Sequence, residues 1–426
     1  MGLALLLGLF AVLVVTGVPV AFALGISAMS VFAYEGLPMM IGFQRIVSGV
    51  SVFSLLAIPF FVFAGELMLH GGIASRLVKV AFAAVGHIRG GLGQVNVFAS
   101  MLFGGISGSA VADVSALGSI LIPTMKEKGY DSDYAVNVTV TSSIAGIMIP
   151  PSHNMILYAV AAGGGISVSK LFIAGIVPGF VMCCCLAVAA YLVARRRGYP
   201  SEPFPGGMVL LASFVSALPG LLTAVIIVGG VLSGIVTVTE SGAMGVIWAI
   251  LVTLIVYRSL SWEGFKTAVL NSVRTTAMVM VLVGCATAFA YLLALYRVPE
   301  VLADALTSIS SNPIVIMLIL NVMLLVLGMI MDMAALILIC TPIFLPVVTG
   351  FGMDPIQFGM VLMMNLGLGL CTPPVGACLF IGCVIGQERI ERVVLTIWPF
   401  YAAILVALAA TTFIPAVSMT LPNLMD

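Results

Sequence analysis

Residues 103–130 read FGGISGSAVADVSALGSILIPTMKEKGY, at the centre of an apolar region covering about 92–124. One crossing of a bilayer takes about 20 apolar residues, so this region is too long for one span and too short for two. Arg89 precedes it, and Lys126 and Lys128 follow it. Basic residues at both ends place both ends on the same, basic-rich face. The run Gly104-Gly105-Ile106-Ser107-Gly108-Ser109 supplies the flexible residues for a reversal. The region therefore reads as a re-entrant helical hairpin that dips into the membrane and leaves where it entered.

The rest of the chain agrees with a membrane setting. Of 426 residues, 62% are hydrophobic and 8% charged, and mean hydropathy is +1.28. Full spans are predicted at about 2–16, 19–34, 52–69, 134–163, 171–194, 209–232, 237–257, 275–296, 356–386 and 393–416. A second split region, 313–348, has no Lys or Arg at either end and reads as a hairpin dipping from the other face. The fold class is an all-α integral membrane protein of about ten spans plus two re-entrant hairpins. Thirteen of the sixteen Lys and Arg then share one side, leaving only Arg45, Lys170 and Arg297 opposite. The positive-inside rule makes the rich side cytoplasmic and puts both termini outside. The apolar start lacks a basic leading region and reads as a first span.

A shift of 223 residues aligns the halves. It superposes Gly105 on Gly328, Asp131 on Asp354, Gly146 on Gly369, and Pro150-Pro151 on Pro373-Pro374. The topology sets the halves in opposite orientations, as in the inverted repeats of many secondary transporters. The division is 1–194, a cytoplasmic linker at 195–208, and 209–426. Neither a channel nor a membrane enzyme needs this symmetry.

Backbone leaves helical form at membrane depth only where it lines a cavity or a protein interior. Four places qualify: the two hairpin turns and the two Pro-Pro breaks. Each Pro pair removes two amide donors and frees carbonyls upstream. Those carbonyls, with Ser and Thr hydroxyls, are hard ligands of the kind sodium takes. Helix halves starting after a break point positive dipole ends inward, which suits an anion. Two related half-sites predict two cation sites flanking one anion.

FGGISGSAVADVSALGSILIPTMKEKGY, IMIPPSHNMILY (147–158) and GLCTPPVG (369–376) together resemble the large membrane subunit of tripartite ATP-independent periplasmic (TRAP) transporters, over essentially the whole chain. The resemblance implies an elevator mechanism of the ion-transporter-superfamily kind and sodium as coupling ion. It also implies a small membrane subunit, a periplasmic substrate-binding protein and a bacterial or archaeal cytoplasmic membrane. Implied substrates are small carboxylates: C4-dicarboxylates, sialic acids, oxo acids or ectoine-like compounds. Carried onto this chain, one cation site uses Ser107, Gly108, Ser109, Pro150 and Ser152, and the other Gly328, Asp332, Thr372 and Pro373.

Candidate substrate contacts are Asn154, Ser109, Asp332 and Arg297. Asp332 is the sharpest, because an acid at a hairpin tip inside a membrane is costly unless it caps, pairs or ligates. Asp113, Glu66 and Glu240 are buried-acid candidates with capping or interfacial pairing as the simpler reading. Arg297 sits near an interface, where snorkelling is the default. The eight cysteines lie in apolar segments without zinc-ligand spacing, so no transition-metal site is expected. No nucleotide-binding loop, Ser/His pair or paired-Asp constellation occurs, so neither ATP use nor enzyme activity is expected. A net charge of +0 gives no signal for nucleic acid. A stand-alone sodium–dicarboxylate symporter or antiporter is the nearest rival, and a passive channel the rival from another class.

The charge pattern makes a direct prediction. Single cysteines at Lys126, Lys128, Arg195 and Arg389 should react with impermeant thiol reagents only from the cytoplasmic side. Those at Asn312 and Asp354 should react only from outside. Labelling of position 128 from outside alone would overturn the inverted arrangement.

Overall fold

Twenty-two helices build the chain in a computed structural model describing residues 1–425, with no strand among the described residues. The first half runs α1 (Gly2–Val15), α2 (Val20–Tyr34), α3 (Met39–Val50), α4 (Ala57–His70) and α5 (Ile73–Val85). The inner hairpin follows as α6 (Gly91–Ser107) and α7 (Ala110–Glu127). Then come α8 (Ser132–Ser142), α9 (Ala145–Met148), α10 (His153–Ala161) and α11 (Val168–Arg197). The second half opens with α12 (Gly207–Leu232), α13 (Val238–Leu251), which runs on as a π-helical turn, and α14 (Trp262–Leu295). After α15 (Val298–Ile309), the outer hairpin is α16 (Pro313–Ile330) and α17 (Met333–Gly350). The chain ends with α18 (Pro355–Leu370), α19 (Ala377–Gly386), α20 (Ile390–Thr396), α21 (Trp398–Phe413) and α22 (Pro415–Asn423).

Seven helices are long and apolar enough to cross a membrane, nine if each of two bent pairs counts as one span. The ten expected spans map onto α1, α2, α4, α8–α10, α11, α12, α13, α14, α18–α19 and α20–α21. The first two spans are short, 14 and 15 residues, within a residue of the expected bounds at each end. Two details differ from the sequence expectation. The tenth bends by 56° between α20 and α21. The linker is shorter than 195–208, because α11 continues through Arg197 and α12 starts at Gly207. The structure also adds three helices where connections were expected: α3, α5 and α15.

Those additions complete the element-by-element repeat. At the 223-residue shift α7 falls on α17, α6 on α16, α5 on α15, and α8–α9 on α18. Together α3 and α4 fall on the one continuous helix α14, which is 34 residues long. At 1.5 Å per residue α14 is about 51 Å long, well beyond a hydrocarbon core of about 30 Å. Its first turns, with Glu263, Lys266 and Arg274, therefore extend past the apolar layer.

Packing sorts the helices into two groups. One is a frame in which α14 lies along α2, α3 and α4, and α13 lies on α4 and α12. Close approach is built from small residues: Gly284 meets Ile46, and Gly49 meets Thr287. The Arg45 guanidinium caps the Tyr291 ring at 4.3 Å. The outward side of α12 carries exposed Leu211, Phe214, Val215 and Val225, an apolar surface suited to lipid. In the second group the halves cross over. The arm α7 packs on α19 of the other half, and α17 packs on α10.

At the end of this second group where α8 begins and α11 finishes, Arg197 forms a bidentate pair with Asp133 at 2.7 and 2.8 Å. It also reaches Asp131 at 3.0 Å, and the Tyr199 hydroxyl donates to Asp131 at 2.6 Å. Tyr130, Tyr134 and Tyr199 stack around the pair. Asp133 is only 3% exposed, so removing its partner strands a buried carboxylate. Arg197→Ala should lower unfolding stability by roughly 3 kcal/mol. Lys128→Ala, which removes an exposed pair with Glu202, should cost less than about 1 kcal/mol. Denaturation of the two purified variants side by side checks the ordering.

Candidate substrate and cation site

The inner hairpin reverses over two residues. Gly108 ends α6 at φ +61°, a conformation glycine adopts without strain, and extended Ser109 caps α7. A Cβ on Gly108 would stand 2.9 Å from the Pro151 carbonyl oxygen, so only glycine lets the tip seat against the break between α9 and α10. Across the same contact, Gly146 lies against the Ser109 carbonyl and Gly105 against that of Pro150. The Pro150-Pro151 bond is cis, as is Pro373-Pro374. Because neither proline carries an N–H, the carbonyls of Gly146 and Ile147 lose their helical donors. The hydroxyl oxygens of Ser107 and Ser152 are buried without a hydrogen-bond partner. Tip and break thus gather hydroxyl and carbonyl oxygens in one place, a donor set that fits a hard cation.

The outer hairpin meets the other break in the same manner. A Cβ on Gly369 would fall 2.5 Å from the Gly328 carbonyl carbon. The Val375 N–H donates to the Met329 carbonyl at 3.0 Å, joining hairpin to break by backbone alone. Asp332 caps α17, its carboxylate accepting from the Ala334 N–H at 3.0 Å, and is exposed at the turn. The Thr372 hydroxyl donates to the Leu368 carbonyl at 2.7 Å, leaving its lone pairs free. Gly328, Asp332, Thr372 and Pro373 are therefore assembled at one tip and one break.

A cavity of about 350 Å³ opens beside the inner tip. Ser107, Ser109, Ser115 and His153 line its hairpin side, and Glu66, Asn271 and Thr275 come from α4 and α14 of the frame. The Asn271 amide donates to the Glu66 carboxylate at 3.1 Å. His70 Nδ1 lies 2.9 Å from the Glu66 backbone carbonyl. The N-termini of α7 and α10 bring positive dipole ends to the hairpin side. No Lys or Arg lines the cavity, and no residue of the outer hairpin does.

Of the substrate candidates, Ser109 alone lines this cavity. Asn154 is 5% exposed and lies one residue behind His153, off the wall. Arg297 is exposed at the start of α15 and sits 3.8 Å from Glu300, away from both tips. Glu240 reciprocally caps α13 with Thr237. Asp113, one turn into α7, is 1% exposed and neither carboxylate oxygen has a partner. Asn271 and Thr275 carry no local signal in the sequence, because an amide just before a span and a hydroxyl at its start look like ordinary interfacial residues. Glu66 reaches the tip only because Gly65 lets α4 approach the Ile106 and Ser107 carbonyls.

Comparison with known proteins fits this architecture. The family model described as "Tripartite ATP-independent periplasmic transporter, DctM component" matches residues 7–417. The chain is 34% identical to the C4-dicarboxylate TRAP transporter large permease protein DctM of Rhodobacter capsulatus, covering 100% of both chains. It is 36% identical to the sialic acid TRAP transporter large permease protein SiaM of Vibrio cholerae, over 97% of this chain and 96% of that one. Among solved structures, the YdaH transporter of Alcanivorax borkumensis superposes with a TM-score of 0.63 at 13% identity, covering 87% of each chain, a likeness of fold. A multi-pass helical chain with paired hairpins on paired breaks, matched over nearly its whole length, belongs to the DctM component family of tripartite ATP-independent periplasmic transporters.

Proposed function

We propose that this chain drives sodium-coupled uptake of an organic acid across a bacterial or archaeal cytoplasmic membrane, both termini outside. The observation carrying this reading is the repeated pairing of hairpin tip with Pro-Pro break. In each half it collects carbonyl oxygens with hydroxyl or carboxylate oxygens, and no ammonium or guanidinium stands among them. Ser107, Ser109, Ser152 and the Pro150 region form one sodium site. Gly328, Asp332, Thr372 and Pro373 form the other. Bound sodium supplies the positive charge that the cavity walls lack, so the anion follows the cation.

The two packing groups support movement of the elevator kind, with the hairpin-bearing bundle travelling against the frame of α2–α4 and α12–α14. The cavity lies only on the inner-hairpin side, as expected when the cytoplasmic route is the open one. A tripartite system supplies two further components, a small membrane subunit and a periplasmic binding protein. This chain has no extramembrane domain among its described residues with which to capture substrate itself.

Two outcomes test the reading. Proteoliposomes holding this chain with both partners should take up a carboxylate only under an inward sodium gradient, and should take up little when the binding protein is omitted. Asp332→Asn should keep the helix cap, since Asn caps as well as Asp. It should nonetheless weaken sodium activation by roughly ten- to a hundredfold, the effect of losing a charge-assisted contact of about 1.5–3 kcal/mol. Ser109→Ala should do less. Normal uptake and unchanged sodium dependence in Asp332→Asn would remove the second site.

A further inference from the structure

Resting on the transport reading above, we propose that the inner cavity takes a monocarboxylate bearing several hydroxyl groups, a sugar-acid type of substrate, and that Glu66 selects it over dicarboxylates. The walls carry the argument. One region favours an anion: the N-termini of α7 and α10 at Ser109 and His153, where backbone amides and dipole ends face the space. The frame wall carries the reverse sign. Glu66 is its charged group; no Lys or Arg lines the cavity, and His70 Nδ1 stands 3.6 Å from Glu66 Oε2 on the same helix. Asn271 donates to Oε2, and among the described residues Oε1 has no hydrogen-bond partner. A free carboxylate oxygen accepts hydrogen bonds and donates none.

A ligand with a carboxylate at each end would seat one at the hairpin wall and press the other towards Glu66. Like charges held close in a partly dehydrated space repel, because little solvent screens them. Hydroxyl groups reverse that interaction, since each donates to a carboxylate or an amide oxygen. The remaining polar lining suits them. Ser115 and Thr275 add hydroxyls, and the Asn271 side-chain oxygen adds an acceptor.

Thermal unfolding of the chain, purified with its small membrane subunit in sodium chloride, tests this with gluconate and succinate as probes. Gluconate should raise the melting temperature of the wild type, while succinate at equal concentration should not. Glu66→Gln keeps the shape and removes the charge, and should improve the apparent affinity for succinate roughly tenfold or more. Stronger stabilisation of the wild type by succinate than by gluconate would overturn the assignment while leaving the transport reading intact. So would an unchanged apparent affinity for succinate in Glu66→Gln. Stabilisation by neither acid, in sodium or in choline, would overturn the assignment, while the transport reading would still be decided by the uptake assay above.

Discussion

A carbonyl oxygen at membrane depth has no water to accept from, and most of this architecture follows from that constraint. Two Pro pairs strip the donors from carbonyls in the middle of two spans, leaving acceptors that helices alone cannot satisfy. The structure brings a hairpin tip to each break at backbone contact distance. Gly108 and Gly369 permit this, because a single Cβ at either position would collide with the facing main chain. The broken spans and the hairpins are therefore one device made twice.

The crossing of the halves gives the device its unity. Because α7 packs on α19 and α17 packs on α10, each hairpin leans on the half-helix that belongs to the other repeat. The two half-sites are alike in backbone but not in chemistry. Asp332 at the outer tip corresponds to Ser109 at the inner one, and buried Asp113 corresponds to Leu336. Symmetry supplies the frame of each site, and these departures supply its charge.

Much of this was legible in the sequence, for identifiable physical reasons. Gly108 and Ser109 mark a turn by conformational freedom and capping, and the Pro pairs mark breaks by missing donors. Both signals are local. By contrast α3, α5 and α15 are 12 or 13 residues long and amphipathic, too polar to register as spans and too apolar to stand out as linkers. Their helical periodicity is present but short beside the long apolar runs on either side. Glu66 and Asn271 are 205 residues apart, and only the packing of α4 against α14 makes them neighbours. Arg297 illustrates the opposite case, since a lone cation near an apolar region drew notice although its surroundings are solvent and Glu300.

The clasp of Arg197 and Tyr199 on Asp131 and Asp133 anchors the start of the connection between the halves, which beyond it is held only by contacts of Pro200 with Gly90, Glu202 with Lys128 and Phe204 with His87. Upstream of it the chain is fastened to α8, and from Gly207 it belongs to α12 of the frame. Only residues 200–206 lie between, SEPFP flanked by Pro200 and Gly206. Seven residues fully extended reach about 25 Å. In the elevator movement proposed above, this short tether would act as a leash, setting an upper limit on the distance one bundle slides along the other. Its three prolines stiffen the leash, so lengthening it should widen the permitted stroke, and shortening it should hold the bundle in place.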